Sequence, residues 1–215
     1  MLLNDIRLAL RGFARTPLFT VTAALSIALG IGANTGIFAL MDRILLRMLP
    51  VKNPEELVLV CSRGSHYGSN NGDNRLSYPM YKDYRDKAEP FQGVFARYPY
   101  SFHMGVNGQT ERVTGELVTG NFFEVLGVGA ALGRVIAPDD DLKSEASPVA
   151  VISHRYWQTR FNGDAKIVGS TILLNNHRFT IIGVSQEGFD GITPGTSQAV
   201  RVPVTTINQF NPDWK

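Results

Sequence analysis

The glycines of the segment LSIALGIGANTGIFAL, residues 25–40, have the spacing that comes nearest to a ligand-binding motif. Gly30, Gly32 and Gly36 could belong to a loop whose backbone N–H groups cradle a phosphate. A dinucleotide fingerprint, however, has the spacing G-x-G-x-x-G between a strand and a helix, whereas this segment has G-x-G-x-x-x-G and no strand before it. Spacing and context therefore both exclude a phosphate loop.

No other segment has the spacing of a catalytic or metal-binding motif. The sequence contains no G-x-S-x-G elbow, no H-E-x-x-H and no G-x-x-x-x-G-K-[ST] loop. His66, His103, His154 and His177 are isolated from one another, and the aspartates 139–141 lack a glutamate at calcium-loop spacing. We expect no enzyme, no cofactor and no metal site, and we expect the three aspartates to lie in an exposed, solvated loop.

Composition and charge exclude further classes of protein. Of the 215 residues, 44% are hydrophobic and 19% are charged, which is typical of a globular chain rather than a disordered one. The formal net charge of +2 comes from mixed signs along the sequence, so nothing indicates a nucleic-acid-binding face. Cys61 is the single cysteine, which excludes an internal disulfide, and its apolar run LVLVC predicts a small buried side chain.

The glycines lie instead in a long apolar segment. No charged residue occurs between Arg15 and Asp42, and a helix over residues 17–41, at about 1.5 Å per residue, exceeds the ~30 Å hydrocarbon layer of a bilayer. A cleaved signal peptide is the alternative, but its apolar core runs only about 7–15 residues. We therefore predict an uncleaved membrane helix, and the G-x-x-x-G spacing of Gly32 and Gly36 predicts close packing against a neighbouring helix.

Basic residues repeat at helical spacing before the apolar segment. Arg7, Arg11 and Arg15 recur every four residues, with apolar residues at other positions of the same turns. Such a pattern predicts an amphipathic helix at the membrane surface, with its arginines on lipid headgroups. Three basic residues precede the span and three follow it, so charge leaves the orientation of the span open.

These patterns divide the chain into three parts. Residues 1–16 are the predicted interfacial helix, residues 17–49 the membrane helix with a stalk that Pro50 ends, and residues 50–215 a folded domain. The domain alternates short strands and helices, so we predict an α+β fold with split strand-helix-strand units. The predicted strands are 57–63, the arms of a hairpin at Asn107-Gly108, PVAVIS, and the arms of a hairpin at Asn175-Asn176; the predicted helices are YKDYRDK after Ser77, NFFEVLG and HRYWQTRF.

Six sequence blocks follow one another in a specific order along almost the whole chain. They are DIRLALRGFARTPLFT, ALSIALGIGANTGIFALMDRILLRMLP, LSYPMYKDYRD, RVTGELVTGNFFEVLGVGAALGR, VAVISHRYWQTRF and VGSTILLNNHRFTIIGV. In this order they resemble the N-terminal part of a MacB/FtsX-type ABC-transporter permease, specifically the group called acidobacterial duplicated orphan permeases.

The resemblance implies a cytoplasmic N-terminal helix, a first helix across the bacterial inner membrane and a periplasmic core domain. It implies no enzymatic activity and no catalytic residues. It implies as partners membrane lipids, a separate ATPase subunit and other permease helices in an oligomer, although genes of the orphan group commonly lack an adjacent ATPase. In relatives that act as pumps, the ATPase moves the membrane helices and the long first helix conveys that motion to the periplasm.

The resemblance also sets an expectation about chain length. Members of the family return to the membrane for further helices, whereas this sequence ends at Lys215, so we expect a fragment or a truncated gene product. The alternative to a permease subunit is a membrane-anchored or secreted periplasmic binding module without transport activity.

Overall fold

The structure, a computed structural model, falls into two compact units, residues 1–47 and residues 48–215. The residues that it describes are 11–13, 15–41, 49–61, 76–106, 108–142, 148–193 and 195–211. The predicted stalk after Met41 therefore lies outside the described residues up to residue 48, as does Arg7.

A single long helix, α1 (Pro17–Met41), dominates the first unit. Thr16 forms a bend immediately before it, as the Thr-Pro pair predicts. The hydroxyl groups of Thr22 and Ser26 inside α1 bond to the helix itself: Thr22 Oγ1 donates to Leu18 O at 3.0 Å, and Ser26 Oγ donates to Thr22 O at 2.8 Å. These polar side chains thus satisfy their hydrogen bonds without water.

The described residues of the second unit form seven strands and four short α-helices. The strands are β1 (Arg97–Val106), β2 (Gln109–Val118), β3 (Ala130–Gly133), β4 (Val149–Ile152), β5 (Thr171–Leu174), β6 (His177–Ser185) and β7 (Val200–Pro203). The helices are α2 (Tyr78–Lys87), α3 (Phe122–Leu126), α4 (His154–Phe161) and α5 (Ile207–Phe210). The fold is therefore an apolar helix followed by a mixed α/β domain, as the sequence predicts.

The strands form one sheet in the order β3-β6-β4-β7-β2-β1-β5. Because β5 pairs with β6 as well as with β1, six of the strands form a closed circuit, and β3 pairs with the end of β6. The β2–β7 and β4–β6 pairs are parallel, and the other pairs are antiparallel. Closure gives the domain an inner and an outer sheet face.

Each sheet face has its own hydrophobic core. The inner core is built around Phe102, Leu117 and Phe179, and the outer core lies around Phe122, Phe123 and Phe189. Strand β4 supplies both cores, because its alternate side chains point to opposite faces. A strand that is buried on both faces explains the uninterrupted apolar run of VAVI.

Turn and cap residues place these elements where the sequence predicts them. Ser77 Oγ accepts a hydrogen bond from Met80 N at 3.4 Å at the start of α2, and Ser153 caps α4 in the same way. Asn175 and Asn176 adopt φ of 48° and 70°, the left-handed pair that a tight β5–β6 hairpin requires.

Three predictions from the sequence are wrong. Residues 57–61 form no strand, and Cys61 is exposed rather than buried. Asp139–Asp141 belong to the 3-10 helix Pro138–Asp141 rather than to a solvated loop, since Asp140 and Asp141 are both withdrawn from water. Strands β3 and β7 and helix α5 were not predicted at all.

Candidate functional site

Helix α1 has the length and composition to cross a membrane. Within the described residues it is the one helix that meets both conditions, and the 23 residues Pro17–Ala39 have a mean hydropathy of 1.6. Its large side chains are exposed on every side of the helix, with Leu18 at 81% and Leu29 at 77%. A helix that is apolar all round is typical of a buried core or a membrane span.

The glycines of α1 leave its backbone accessible. A Cβ atom built on Gly30, Gly32 or Gly36 meets no described atom within 4 Å. Close helix packing at Gly32 and Gly36 stays a prediction, because the described residues bring no second helix to them. Arg11 and Arg15 are exposed, as a role at the membrane surface requires, and that role also stays a prediction.

Residues 49–57, named here the strap, attach the N-terminal end of the second unit to its sheet. Lys52 N donates to Leu126 O, the last residue of α3, at 2.8 Å. Gln186 Nε2, just after β6, donates to Pro50 O at 3.1 Å. Two hydrogen bonds from different elements therefore fix the strap to the outer side of the sheet.

Apolar packing reinforces the strap. Val51 and Leu57 pack against the outer core. Gly127 ends α3 with φ of 65°, and a Cβ atom there would lie 2.8 Å from the Cβ of Lys52. Glycine is therefore required at this position both for the left-handed backbone and for the close approach of the strap.

A buried ionic cluster lies on the outer face of β2 and β7. Glu116 and Arg201 are both 0% exposed, and Arg201 Nε donates to Glu116 Oε2 at 3.1 Å. Arg97 Nη1 donates to the other carboxylate oxygen at 2.7 Å. Burial lowers the pKa of Arg201 and the Glu116 carboxylate opposes that shift, so the carboxylate favours the charged form of Arg201.

The two arginines also hold the loop between β6 and β7. Arg201 Nη2 donates to Asp190 O at 3.0 Å, and Arg97 Nη2 donates to Thr193 Oγ1 at 2.6 Å. The Arg201 guanidinium lies 4.8 Å from the centre of the Phe189 ring. The cluster therefore fixes loop geometry, which is a structural task rather than proton transfer.

The aspartates that follow β3 also have a structural role. Asp140 forms a two-point ion pair with Arg134, with distances of 2.5 and 2.8 Å, and this contact lowers the pKa of Asp140. Asp141 accepts hydrogen bonds from Gly120 N and Thr205 N, while its burial raises its pKa. Asp141 thereby joins the ends of β2 and β7.

The described residues contain no arrangement suited to catalysis. No group of three or more metal-ligating side chains occurs among them. A groove of about 410 Å³ is lined by one face of α2, from Met80 to Ala88. A second pocket of about 150 Å³ lies beside β1 and β2, where it is bordered by Gln198. Neither hollow brings an acid, a base and a nucleophile together.

Sequence reasoning missed both the strap and the ionic cluster. The cluster had a signal, because Glu116 and Arg201 each interrupt an apolar run, in GELV and AVRVPV. A charge inside an apolar strand must be paired if that strand is buried. The strap had no comparable signal, since its backbone hydrogen bonds are independent of side-chain type.

One family of proteins matches nearly the whole chain. The family model described as the MacB-like periplasmic core domain matches residues 20–214. No curated protein sequence matches the chain.

Two solved structures share the fold. The periplasmic region of MacB from Actinobacillus actinomycetemcomitans has a TM-score of 0.53 and 20% identity, over 67% of this chain and 65% of that one. The extracellular domain of the noncanonic ABC-type transporter YknZ from Gram-positive bacteria has a TM-score of 0.50 and 16% identity, over 63% of this chain and 66% of that one. The chain thus spans just under two thirds of each.

Removing the central charge of the ionic cluster should destabilise the domain. Glu116→Gln keeps the shape of the side chain but leaves the buried Arg201 and the partly exposed Arg97 without their counter-charge, so we expect a loss of about 3 kcal/mol in the free energy of unfolding. The measurement is chemical unfolding followed by tryptophan fluorescence. The control is Glu124→Gln, at an exposed position of α3, which should change the free energy by less than about 0.5 kcal/mol. Equal effects of the two substitutions would contradict the assignment.

Stability should depend on pH through Asp140. Because the pKa of Asp140 is lower in the folded state, its ion pair stabilises the fold above the unfolded pKa of about 3.9 and is lost as the pH falls through the folded value. Asp140→Asn should therefore lower the melting temperature at pH 7 and make a smaller difference at pH 2, which lies below the unfolded pKa. A difference in melting temperature that is the same at both values would refute this account.

Proposed function

The chain belongs to the MacB-like periplasmic core domain family, and we propose that it is a membrane-anchored permease component of an ABC-type transporter. In this proposal α1 crosses the inner membrane, the mixed α/β domain lies in the periplasm, and the strap carries motion from one to the other. The observation that carries the proposal is the fully exposed, uncharged α1 in a chain of this family.

Solvation supports the position of α1 in lipid. Each large apolar side chain that leaves water contributes roughly 1.5–3 kcal/mol, and α1 presents many of them on all sides. The hydroxyl groups of Thr22 and Ser26 add little opposing cost, because they already donate to backbone carbonyls of the same helix. A bilayer is the environment that satisfies both features.

The strap supports the transmission of motion. A displacement of residue 50 acts directly on Gln186 through one hydrogen bond, and a displacement of Lys52 acts on the end of α3 through another. Val51 and Leu57 extend this attachment into the outer core. A pull on the strap must therefore either move α3 and the end of β6 or break these contacts.

The proposal includes an energy source that is separate from this sequence. The sequence has no phosphate-binding loop, so we propose that a separate ATPase drives the motion and that further permease helices complete the pathway. Gly32 and Gly36 would pack against one of those helices, and Arg7, Arg11 and Arg15 would lie on lipid headgroups. Membership of the orphan group and the oligomeric state also remain parts of this proposal.

Membrane insertion is tested by fractionation. The full chain, expressed in a bacterium, should stay with the membrane pellet after carbonate extraction and keep the mass of its intact N-terminus. Leu25→Arg combined with Leu29→Arg places two charges in α1 and should release most of the protein. Leu59→Arg is the control, because Leu59 is an apolar residue outside α1 whose side chain is 88% exposed. This substitution should leave the protein in the pellet.

Two results would contradict insertion. Recovery of the unprocessed chain in the soluble fraction would show that α1 does not anchor the protein in the membrane. Recovery of a shortened, soluble chain would show that α1 belongs to a cleaved signal peptide. That result would favour the binding-module alternative.

The strap is tested at Gly127. Gly127→Val should push Lys52 away, because its side chain would collide with Lys52, and the Lys52 N–H should exchange with solvent at least about tenfold faster in hydrogen-exchange measurements. Gly188→Val is the control: Gly188 has a similar φ of 82° but no atom within 4 Å of an added Cβ. If both variants accelerate exchange at Lys52 equally, the strap is not held by this contact.

A further inference from the structure

The outer face of the sheet is covered over only part of its area. Val118 at the end of β2 and Val149 and Val151 in β4 belong to the outer core, on which α3 and the strap pack. The outer side chains of β5, of the start of β6 and of the adjoining parts of β1 and β2 are exposed instead. This second area is therefore a sheet face that no described element covers.

Strand register brings residues from four strands together on this exposed area. Gly105 of β1 lies between Thr110 of β2 and Leu173 of β5, and Leu173 is paired in turn with Arg178 of β6. A Cβ atom built on Gly105 would lie 3.3 Å from Leu173 Cβ and 3.8 Å from Thr110 Oγ1. Leu173 and Thr110 therefore lie on the same face, on either side of Gly105.

A second row of this face contains Arg112 and His103, which are paired across β2 and β1. Alternate residues of a strand share a face, so His103 lies on the same side as Gly105, while Phe102 and Met104 belong to the inner core. The surface named here the open face consists of Thr110, Arg112, His103, Gly105, Leu173 and Arg178.

The positive charge of the open face has no acidic counterpart. Arg112 and Arg178 are both exposed, and neither forms an ion pair with another described residue. The four strands of this face contain two acids, Glu111 and Glu116. Glu111 is paired with Met104 in the register, on the inner side, and forms an ion pair with an arginine of α4. Glu116 belongs to the buried ionic cluster.

Charges next to these strands do not alter this balance. In the ionic cluster, two carboxylates offset two guanidinium groups once Asp190 is counted with Glu116. Before β5, the charge of Asp164 is offset by that of Lys166, whose backbone N–H donates to the Asp164 carboxylate at 3.0 Å. The two arginines of the open face therefore remain in excess, and charge complementarity selects an acidic partner.

Leu173 gives the open face an apolar centre. Its side chain is 39% exposed and lies beside Arg178, while Arg112 lies beyond Gly105 on the other side. Measured along the sheet, the backbones of the two arginines are about 14 Å apart across the strands and about 7 Å apart along them. An apolar centre bordered by arginines is typical of a protein interface. Basic sites for anionic lipids usually contain about four to eight Lys or Arg residues, so the composition favours a polypeptide.

We propose that the open face binds an acidic segment of a partner polypeptide. The guanidinium groups of Arg112 and Arg178 donate hydrogen bonds to carboxylates of that segment. An apolar side chain between those carboxylates packs on Leu173 and removes it from water. The site goes beyond the proposed permease function and does not depend on it.

Peptide binding to the full chain in micelles of a nonionic detergent tests the site. The probe is the fluorescein-labelled peptide Glu-Glu-Thr-Leu-Thr-Glu-Glu, which carries carboxylates on both sides of a leucine. In one comparison peptide Lys replaces every Glu, and in the other Ser replaces Leu. In fluorescence anisotropy, the acidic peptide should bind at least tenfold more tightly than the Lys peptide and at least threefold more tightly than the Ser peptide.

Substitutions on the open face should weaken this binding. Arg112→Glu and Arg178→Glu should each weaken it at least fivefold, and Leu173→Ser should weaken it at least threefold.

The control is Lys82→Glu, which makes the same reversal of charge at an exposed position of α2, outside the open face. It should leave the affinity within twofold.

The unsubstituted protein allows a second measurement, in which no variant can misfold. Phenylglyoxal modifies exposed arginines, and mass spectrometry gives the rate of modification at each one. The acidic peptide should slow the modification of Arg112 and Arg178 at least fivefold. The rate at Arg155 of α4, whose side chain is 67% exposed, should stay within twofold.

The proposal is overturned by any of three results. The first is equal binding of the acidic and Lys peptides, and the second is equal weakening by Arg112→Glu and Lys82→Glu. The third is a rate of Arg112 modification that is the same with and without the acidic peptide. Phosphatidylglycerol added to the micelles without peptide would also overturn it by slowing the modification of Arg112 and Arg178 at least fivefold, because lipid headgroups would then be the occupant.

Discussion

An uncharged apolar helix cannot present its side chains to water at low cost, and α1 presents leucine, isoleucine and phenylalanine on all sides. The proposed permease function depends on where this helix resides. In lipid, its exposed surface is favourable, and the hydroxyl groups of Thr22 and Ser26 already donate to backbone carbonyls of the same helix.

The domain is built to be held at defined points. A closed circuit of six strands gives it two hydrophobic cores, and the strap attaches to the outer one through Lys52 and Pro50. On the same outer face, Arg97 and Arg201 hold the loop before β7 in place. These contacts hold together the side of the domain that receives the strap.

Local chemistry made several elements predictable from the sequence. The Asn175-Asn176 pair accepts the left-handed backbone of a two-residue turn, so the β5–β6 hairpin follows from residue type alone. Helix α4 has a serine cap before a run of eight residues that can form two turns. The family resemblance was confirmed by the family model over residues 20–214.

The errors come from contacts between residues that are distant in sequence. Residues 57–61 have high β propensity, but a strand also needs a partner, and no described strand pairs with them. Cys61 was expected to be buried only because that strand was expected. Strand β7 is short and contains Arg201, whose burial makes sense only beside Glu116 on the distant β2. Nothing local in either segment indicates the other.

The single cysteine allows the most direct test of the central claim that α1 spans the membrane with the domain outside. Cys61 is exposed and follows the strap, so in spheroplasts of cells that express the full chain a membrane-impermeant maleimide should label it without permeabilisation. In inside-out vesicles it should react only after detergent is added. Labelling of Cys61 in the vesicles but not in the spheroplasts would place the domain on the cytoplasmic side and contradict the account.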